Sequence, residues 1–263
     1  MNAPDRPLHG QPSPHDRLHP KLYLAEAAGT ALLVACGLSI VIAIFGRDSV
    51  GGDGAIATLL PSMPWRRALA GGGFGIVGAL IAISPLGRIS GAHINPAVSL
   101  AFWLERKLAW RDLLGYVLAQ MIGGAIGALP LLGWGATGRS LNYGATTVGA
   151  GVSVSMAFAG EVIATLSLVL AIFITAAHER TRRLTPWTIP PLFAWLVWWE
   201  APLSGASANP ARSFGPALIS SVWSDFWIYL LAPLLGAAIG AWLLRVELFG
   251  SHRVQVARVA RHD

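Results

Sequence analysis

The sequence predicts an all-α membrane protein: six transmembrane helices and two re-entrant half-helices, arranged as an inverted repeat. Three observations carry that reading. Only 12% of the 263 residues are charged, 54% are hydrophobic, and the mean hydropathy is +0.57, whereas a soluble domain is roughly a quarter charged. Six apolar stretches are long enough to cross a bilayer. The second half of the chain repeats the first. The shortage of charge also excludes an ordinary soluble enzyme, a nucleic-acid binder and a disordered chain, because too few ionised groups remain to keep a surface of this size in water.

Residues 1–20, rich in proline and histidine and poor in apolar groups, are expected to form a disordered cytoplasmic tail. His9, His15 and His19 lack the partners a metal site needs. The first span is predicted at 22–45, broken only by Glu26, and the second at 68–86. Spans three to six are predicted at 113–132, 152–177 (with Glu161), 187–203 (with Glu200) and 226–244. Two shorter apolar stretches, 96–104 and 210–221, cover only about half the bilayer at about 1.5 Å per residue. A basic cytoplasmic tail at 249–263 closes the chain. The channel-forming part is thus 21–248, with repeat one at about 22–133 and repeat two at about 152–248. Cys36 stands alone, so no intrachain disulfide forms, and a buried thiol is expected.

The distribution of the basic residues sets the orientation. With both termini in the cytoplasm, fourteen Lys and Arg residues fall on that side, Lys21, Arg88, Lys107, Arg182 and Arg245 among them. Arg47, Arg66, Arg67 and Arg139 fall outside, and Arg212 lies within the second half-helix. This is the positive-inside pattern. The net charge of +6 therefore reads as an orientation signal, not as a nucleic-acid footprint. Trp65, Trp110, Trp134, Trp187 and Trp223 fall near predicted span ends, where interfacial belts form.

The repeat is explicit. Residues 90–100 read SGAHINPAVSL and 204–214 read SGASANPARSF, identical at seven of eleven positions. Residues 115–129 and 228–242 agree at eight of fifteen, and Glu26 with Thr30 is echoed by Glu161 with Thr165. Three spans and one half-span per repeat put the second copy upside down, so the two half-helices meet from opposite faces near the midplane. Each opens on Asn-Pro-Ala: Asn95, Pro96 and Ala97, then Asn209, Pro210 and Ala211. Asparagine is a strong N-cap and proline suits the first helical position. Two helix N-termini, each with about half a positive charge, would then point at the membrane centre. The preceding Gly91, Ala92 and His93, and Gly205, Ala206 and Ser207, cannot be helical. Non-helical backbone at that depth must be buried or line a wet cavity, so their carbonyls are expected to form a ladder of acceptors.

These paired motifs, with the second continuing as Arg212-Ser213-Phe214-Gly215-Pro216, resemble those of the aquaporin and aquaglyceroporin (major intrinsic protein) family. The resemblance covers about residues 22–248. It implies a passive channel for water or small neutral solutes, assembled as a homotetramer with one pore per subunit and working without cofactor, metal or catalytic residues. It further implies a constriction formed by Arg212, Ala206, Val197 and a residue of span two, Phe74 or Gly75. Val197 stands where strict water channels carry histidine, which implies a wider and less polar filter, compatible with glycerol, ammonia, hydrogen peroxide or undissociated metalloid acids. Ser213 and Ala217, by contrast, resemble the water-channel subgroup.

Arg212 inside an apolar segment is functional by default, since burying that charge is expensive. Glu26 and Glu161 are expected to accept N–H groups of the two non-helical loops, a structural role favoured over a proton relay by their two-fold placement. Glu200, without a counterpart in the first half, suggests a charge in an outer vestibule. The alternative function is a secondary transporter, which can share this architecture but needs a paired charge as a coupling-ion site. The expected setting is a plasma membrane, and a bacterial inner membrane in particular, with the bilayer and small solutes as partners and no nucleic acid.

Overall fold

The computed structural model describes residues 18–47, 52 and 54–246. The tail expected at 249–263, and the N-terminal tail up to residue 17 with His9 and His15, lie outside the described residues. The described residues form helices joined by loops: α1 (Pro20–Phe45), α2 (Ala55–Leu59), α3 (Met63–Ile83), α4 (Pro85–Ser90), α5 (Pro96–Leu104), α6 (Trp110–Ala128), α7 (Gly135–Arg139), α8 (Val154–Ala176), α9 (Glu179–Arg182), α10 (Thr185–Ser204), α11 (Pro210–Ser220) and α12 (Phe226–Arg245). Helices α1, α3, α6, α8 and α12 belong to segments apolar and long enough to span a membrane. Helix α10 is 20 residues long but carries Glu200 and the internal prolines Pro190, Pro191 and Pro202. Both half-helices form, with 9 and 11 residues.

The second span ends earlier than its predicted limit at residue 86. Ser84 is extended (φ −70°, ψ 170°) and its hydroxyl donates to the Ile81 carbonyl at 2.7 Å. A residue before proline is driven out of the helical region, so Pro85 ends α3 and begins α4. Spans two and three also start earlier than predicted, at Met63 and Trp110, because helices can run past the hydrocarbon into the interface. Trp65, Trp110, Trp134, Trp187 and Trp223 are all exposed. So is Cys36, which corrects the expected buried thiol: an apolar span presents one side outward as well as one inward.

The packing respects the repeat. Helix α1 packs on α6 as α8 packs on α12, and α1 on α3 as α8 on α10. Each half-helix packs on the last span of the other repeat, α5 on α12 and α11 on α6. Small residues make these approaches possible. A Cβ on Gly123 or Gly127 would lie 2.3 Å from the carbonyl oxygen of Ala27 or Ala31. At the symmetric centre α3 meets α10 so closely that a Cβ on Gly71 would sit 2.2 Å from the Phe193 carbonyl oxygen. The apolar core runs from Val34 and Leu38 on α1 through Val98 on α5 to Leu168 on α8.

Candidate functional site

The two half-helices meet end to end. Asn95 is extended (φ −160°, ψ 120°) and its Oδ1 accepts from the Ala97 N–H at 2.9 Å. Asn209 does the same for Ala211 at 3.0 Å and Arg212 at 3.3 Å. Pro96, Ala97, Pro210 and Ala211 form the first turns and are buried. The side-chain amides then cross over: Asn95 Nδ2 donates to the Ala208 carbonyl at 2.8 Å, and Asn209 Nδ2 to the Ile94 carbonyl at 2.9 Å. Each amide has two N–H groups, so each retains a second donor, and Asn95 and Asn209 both line a cavity of about 340 Å³.

The loops leading in are strained in the same way. Gly91 and Gly205 have φ of 88° and 90°, Ala92 and Ala206 of 49° and 52°, Ile94 and Ala208 of 42° and 47°. A left-handed non-glycine residue costs about 1–2 kcal/mol. One carboxylate per loop offsets this. Glu26 accepts from the His93 and Ile94 N–H groups at 3.0 and 2.6 Å, and Glu161 from those of Ser207 and Ala208, both at 2.7 Å. Hydrogen bonds to a charged group contribute about 1.5–3 kcal/mol each, enough to balance two strained residues per loop. Further out, the Tyr116 hydroxyl donates to the Ser90 carbonyl at 2.7 Å and Tyr229 to that of Ser204 at 2.9 Å.

This bonding leaves the carbonyls of Gly91, Ala92, His93, Gly205, Ala206 and Ser207 without a donor among the described residues. Gly91, Ala92 and His93 line the first cavity, Gly205 and Ala206 a second of about 530 Å³; Ser207 lines neither. Its hydroxyl turns back to the Asn209 carbonyl and to Ser213. His93, also buried, places Nδ1 3.2 Å from the Ser99 hydroxyl and lies with its ring centre 4.2 Å from that of Phe102, tilted by 35°.

Phe74, Val197, Ala206 and Arg212 together line the second cavity. Arg212 is buried, donates from Nη1 to the Gly144 carbonyl at 2.9 Å, and lies 6.0 Å from the centre of the Phe74 ring. Gly75 lines only the first cavity, and its lack of a side chain admits Pro190: a Cβ there would be 2.7 Å from the Pro190 Cα. Phe74 occupies space left by Gly37, whose Cβ would fall 2.5 Å from the ring. Phe74 and Phe193 line both cavities, their rings 5.8 Å apart at 25°.

Several contributors escape the sequence. Tyr116 and Tyr229 were visible as a matched pair in the repeat, and Ser99 and Ser213 in the paired motifs, but nothing in their spacing assigned partners. Gln120, whose amide donates to Glu26 at 2.7 Å and Ser99 at 2.9 Å, faces proline at the matching place in repeat two. Gly144 holds Arg212 through its carbonyl, and its left-handed backbone (φ 82°) accounts for the glycine without pointing to that partner. Glu200 is fully buried against Ser204, so the vestibule charge suggested by the sequence is overturned. Its place near the end of α10 turns it into the helix bundle.

The sequence profile of the major intrinsic protein family matches residues 17–244. Aquaporin NIP1-1 of Zea mays is 37% identical over 229 residues, covering 86% of this chain and 74% of that protein. Probable aquaporin AqpM of Archaeoglobus fulgidus is 36% identical over 248 residues, covering 85% and 95%. The X-ray structure of the aquaglyceroporin from Plasmodium falciparum has the same fold, with a TM-score of 0.67 at 20% identity over 85% of this chain and 94% of that one. The chain belongs to the major intrinsic protein family and is a membrane channel for water and small solutes.

Proposed function

We propose that the chain conducts water and small neutral solutes passively and turns back protons and ions. The observation that carries this is the junction of the two half-helices, where Asn95 and Asn209 both line the cavity and each commits one of its two amide N–H groups to the opposite loop. A neutral solute exchanges its water hydrogen bonds for the remaining donors and for the free carbonyls of the two loops. A cation meets two positive helix ends and loses hydration that nothing replaces. A water bound to both asparagines accepts from each and can donate only outward, so an unbroken, consistently oriented proton wire does not form.

Arg212, Phe74, Val197 and Ala206 form the selectivity filter in this reading. Phe74, which reaches the second cavity, takes the span-two position, and Gly75 acts in packing. Val197 and Ala206 leave the filter wide and weakly polar, which suits glycerol, ammonia, hydrogen peroxide and undissociated metalloid acids alongside water. The carbonyls of Gly91, Ala92, His93, Gly205 and Ala206 form the acceptor ladder, and Ser207 serves through its side chain. The reading includes a homotetramer with one pore per subunit and both termini in the cytoplasm. The 21–248 segment forms the channel in a plasma membrane, a bacterial inner membrane in particular. No catalysis is assigned to it.

Stopped-flow light scattering on proteoliposomes, stepped osmotically with water, glycerol and urea in turn, tests this. Water and glycerol flux linear in the gradient is expected. Flux that saturates or follows a proton gradient would establish the secondary transporter instead.

A further inference from the structure

The two loop carboxylates have different neighbours. Glu26 accepts two backbone N–H groups and the Gln120 amide. Glu161 accepts two backbone N–H groups and the Ser204 hydroxyl, 2.6 Å from its Oε1. The residue matching Gln120 is Pro233, which has no side-chain donor. In its place Glu200 reaches the same Ser204 hydroxyl with its own Oε1. Glu161, Ser204 and Glu200 are all fully buried. Gly160 makes the room: a Cβ there would sit 2.8 Å from Glu200 Oε1.

A serine hydroxyl has one proton. It cannot donate to two carboxylates, and two unprotonated oxygens at hydrogen-bond distance repel. One of the two acids therefore carries a proton and donates it to Ser204. Both oxygens of Glu161 already accept backbone N–H groups, which suits an anion. Glu200 Oε2 is buried with no hydrogen-bond partner among the described residues, a poor place for a second full negative charge next to Glu161.

We infer that Glu200 is a neutral carboxylic acid and a positioning residue: it donates to Ser204, Ser204 donates to Glu161, and Glu161 holds the loop that delivers Asn209 and Arg212. The chain thereby replaces the amide donor of the first repeat with a protonated acid in the second. A neutral group in this place holds the loop without adding a second negative charge that would attract cations. The positioning role rests on the channel reading above; the protonation state does not.

The test uses the full-length protein reconstituted in lipid. Its infrared spectrum should contain a protonated-carboxyl C=O band that shifts on deuteration and is missing from Glu200→Gln. In osmotic assays Glu200→Gln, whose amide still donates, should keep water and glycerol permeability and proton exclusion within about twofold of wild type. Glu200→Leu, which cannot donate, should lose about tenfold in permeability, as expected for one lost buried hydrogen bond. A wild-type spectrum without the band overturns the inference without recourse to any variant, as does a band that persists in Glu200→Gln. A Glu200→Gln protein that is as impaired as Glu200→Leu, or that fails to assemble, overturns it too, and an unimpaired Glu200→Leu removes the positioning role. The band is read without any flux, so its absence counts against Glu200 alone, whereas a wild type without flux counts against the channel reading.

Discussion

Asn95 and Asn209 are each bonded to the other's loop: Asn95 Nδ2 to the Ala208 carbonyl at 2.8 Å and Asn209 Nδ2 to the Ile94 carbonyl at 2.9 Å. The residue that caps one half-helix thus fixes the loop leading to the other, and the two repeats lock at the midplane through four polar groups. Replacing Asn209 with Ala removes a cap, worth about 0.5–2 kcal/mol, and the bond to Ile94, worth about 0.5–1.5 kcal/mol. Asn209→Ala should therefore lower thermal stability in detergent and reduce osmotic water permeability together. Asn95→Ala should do the same to a slightly smaller extent, because its Oδ1 caps one backbone N–H where that of Asn209 caps two. A large difference between the two would show that the lock is not symmetric.

Arg212 is held by the Gly144 carbonyl at 2.9 Å and faces the second cavity beside Phe74. Arg212→Val removes the buried positive side chain beside Phe74 and leaves an apolar wall in its place. Solutes larger than water should then pass more readily, and proton leak should rise, as read by a pH-sensitive dye trapped in proteoliposomes. Unchanged glycerol flux and unchanged proton leak together would remove Arg212 from the filter.

Glu26 satisfies the His93 and Ile94 N–H groups and the Gln120 amide at once. Glu26→Gln puts an amide NH₂ where one of those donors needs an acceptor. A buried polar group left unpaired costs about 1–3 kcal/mol, on top of the strain still stored at Ala92 and Ile94. Glu26→Gln should melt at a lower temperature than wild type and conduct less water. This is the opposite of the outcome expected for Glu200→Gln, so the pair separates an anionic acceptor from a neutral donor.

What the sequence revealed follows from what physics writes into residue types. Asn-Pro-Ala in duplicate announced the half-helices because capping and proline placement are local. Glu26 and Glu161 were legible because an acid in an apolar span demands partners. The C-terminal end of the second span was not legible to the residue, since apolar pattern does not register Pro85 forcing Ser84 into an extended backbone. Cys36 was misplaced for a related reason: in a bilayer both faces of a helix are apolar, so hydropathy does not say which one is buried. Glu200 was misread because its partners, Ser204 one turn on and Glu161 on another helix, come together only when α8 and α10 pack around Gly160.

Val197 lines the second cavity together with Phe193 and Arg212. It lies on α10 where α3 comes closest: a Cβ on Gly71 would be 2.8 Å from the Val197 Cβ, so a larger side chain at 197 cannot back away toward α3 and must extend into the cavity it lines. Val197→His adds bulk and a hydrogen-bonding group at once. A water, with a share of liquid volume near 30 Å³, still fits and gains a partner in the imidazole. Glycerol, with three carbons and three hydroxyls, has to pass the narrowed gap without shedding any of that bulk. The ratio of glycerol to water permeability in proteoliposomes should therefore fall by about tenfold, the scale on which pockets discriminate by size, while water permeability itself stays near wild type. A variant that loses both fluxes equally has blocked the path without sorting the solutes. A variant that loses neither shows that the passage is narrowest elsewhere, with the stacked Phe74 and Phe193 rings, common to both cavities, as the next place to substitute.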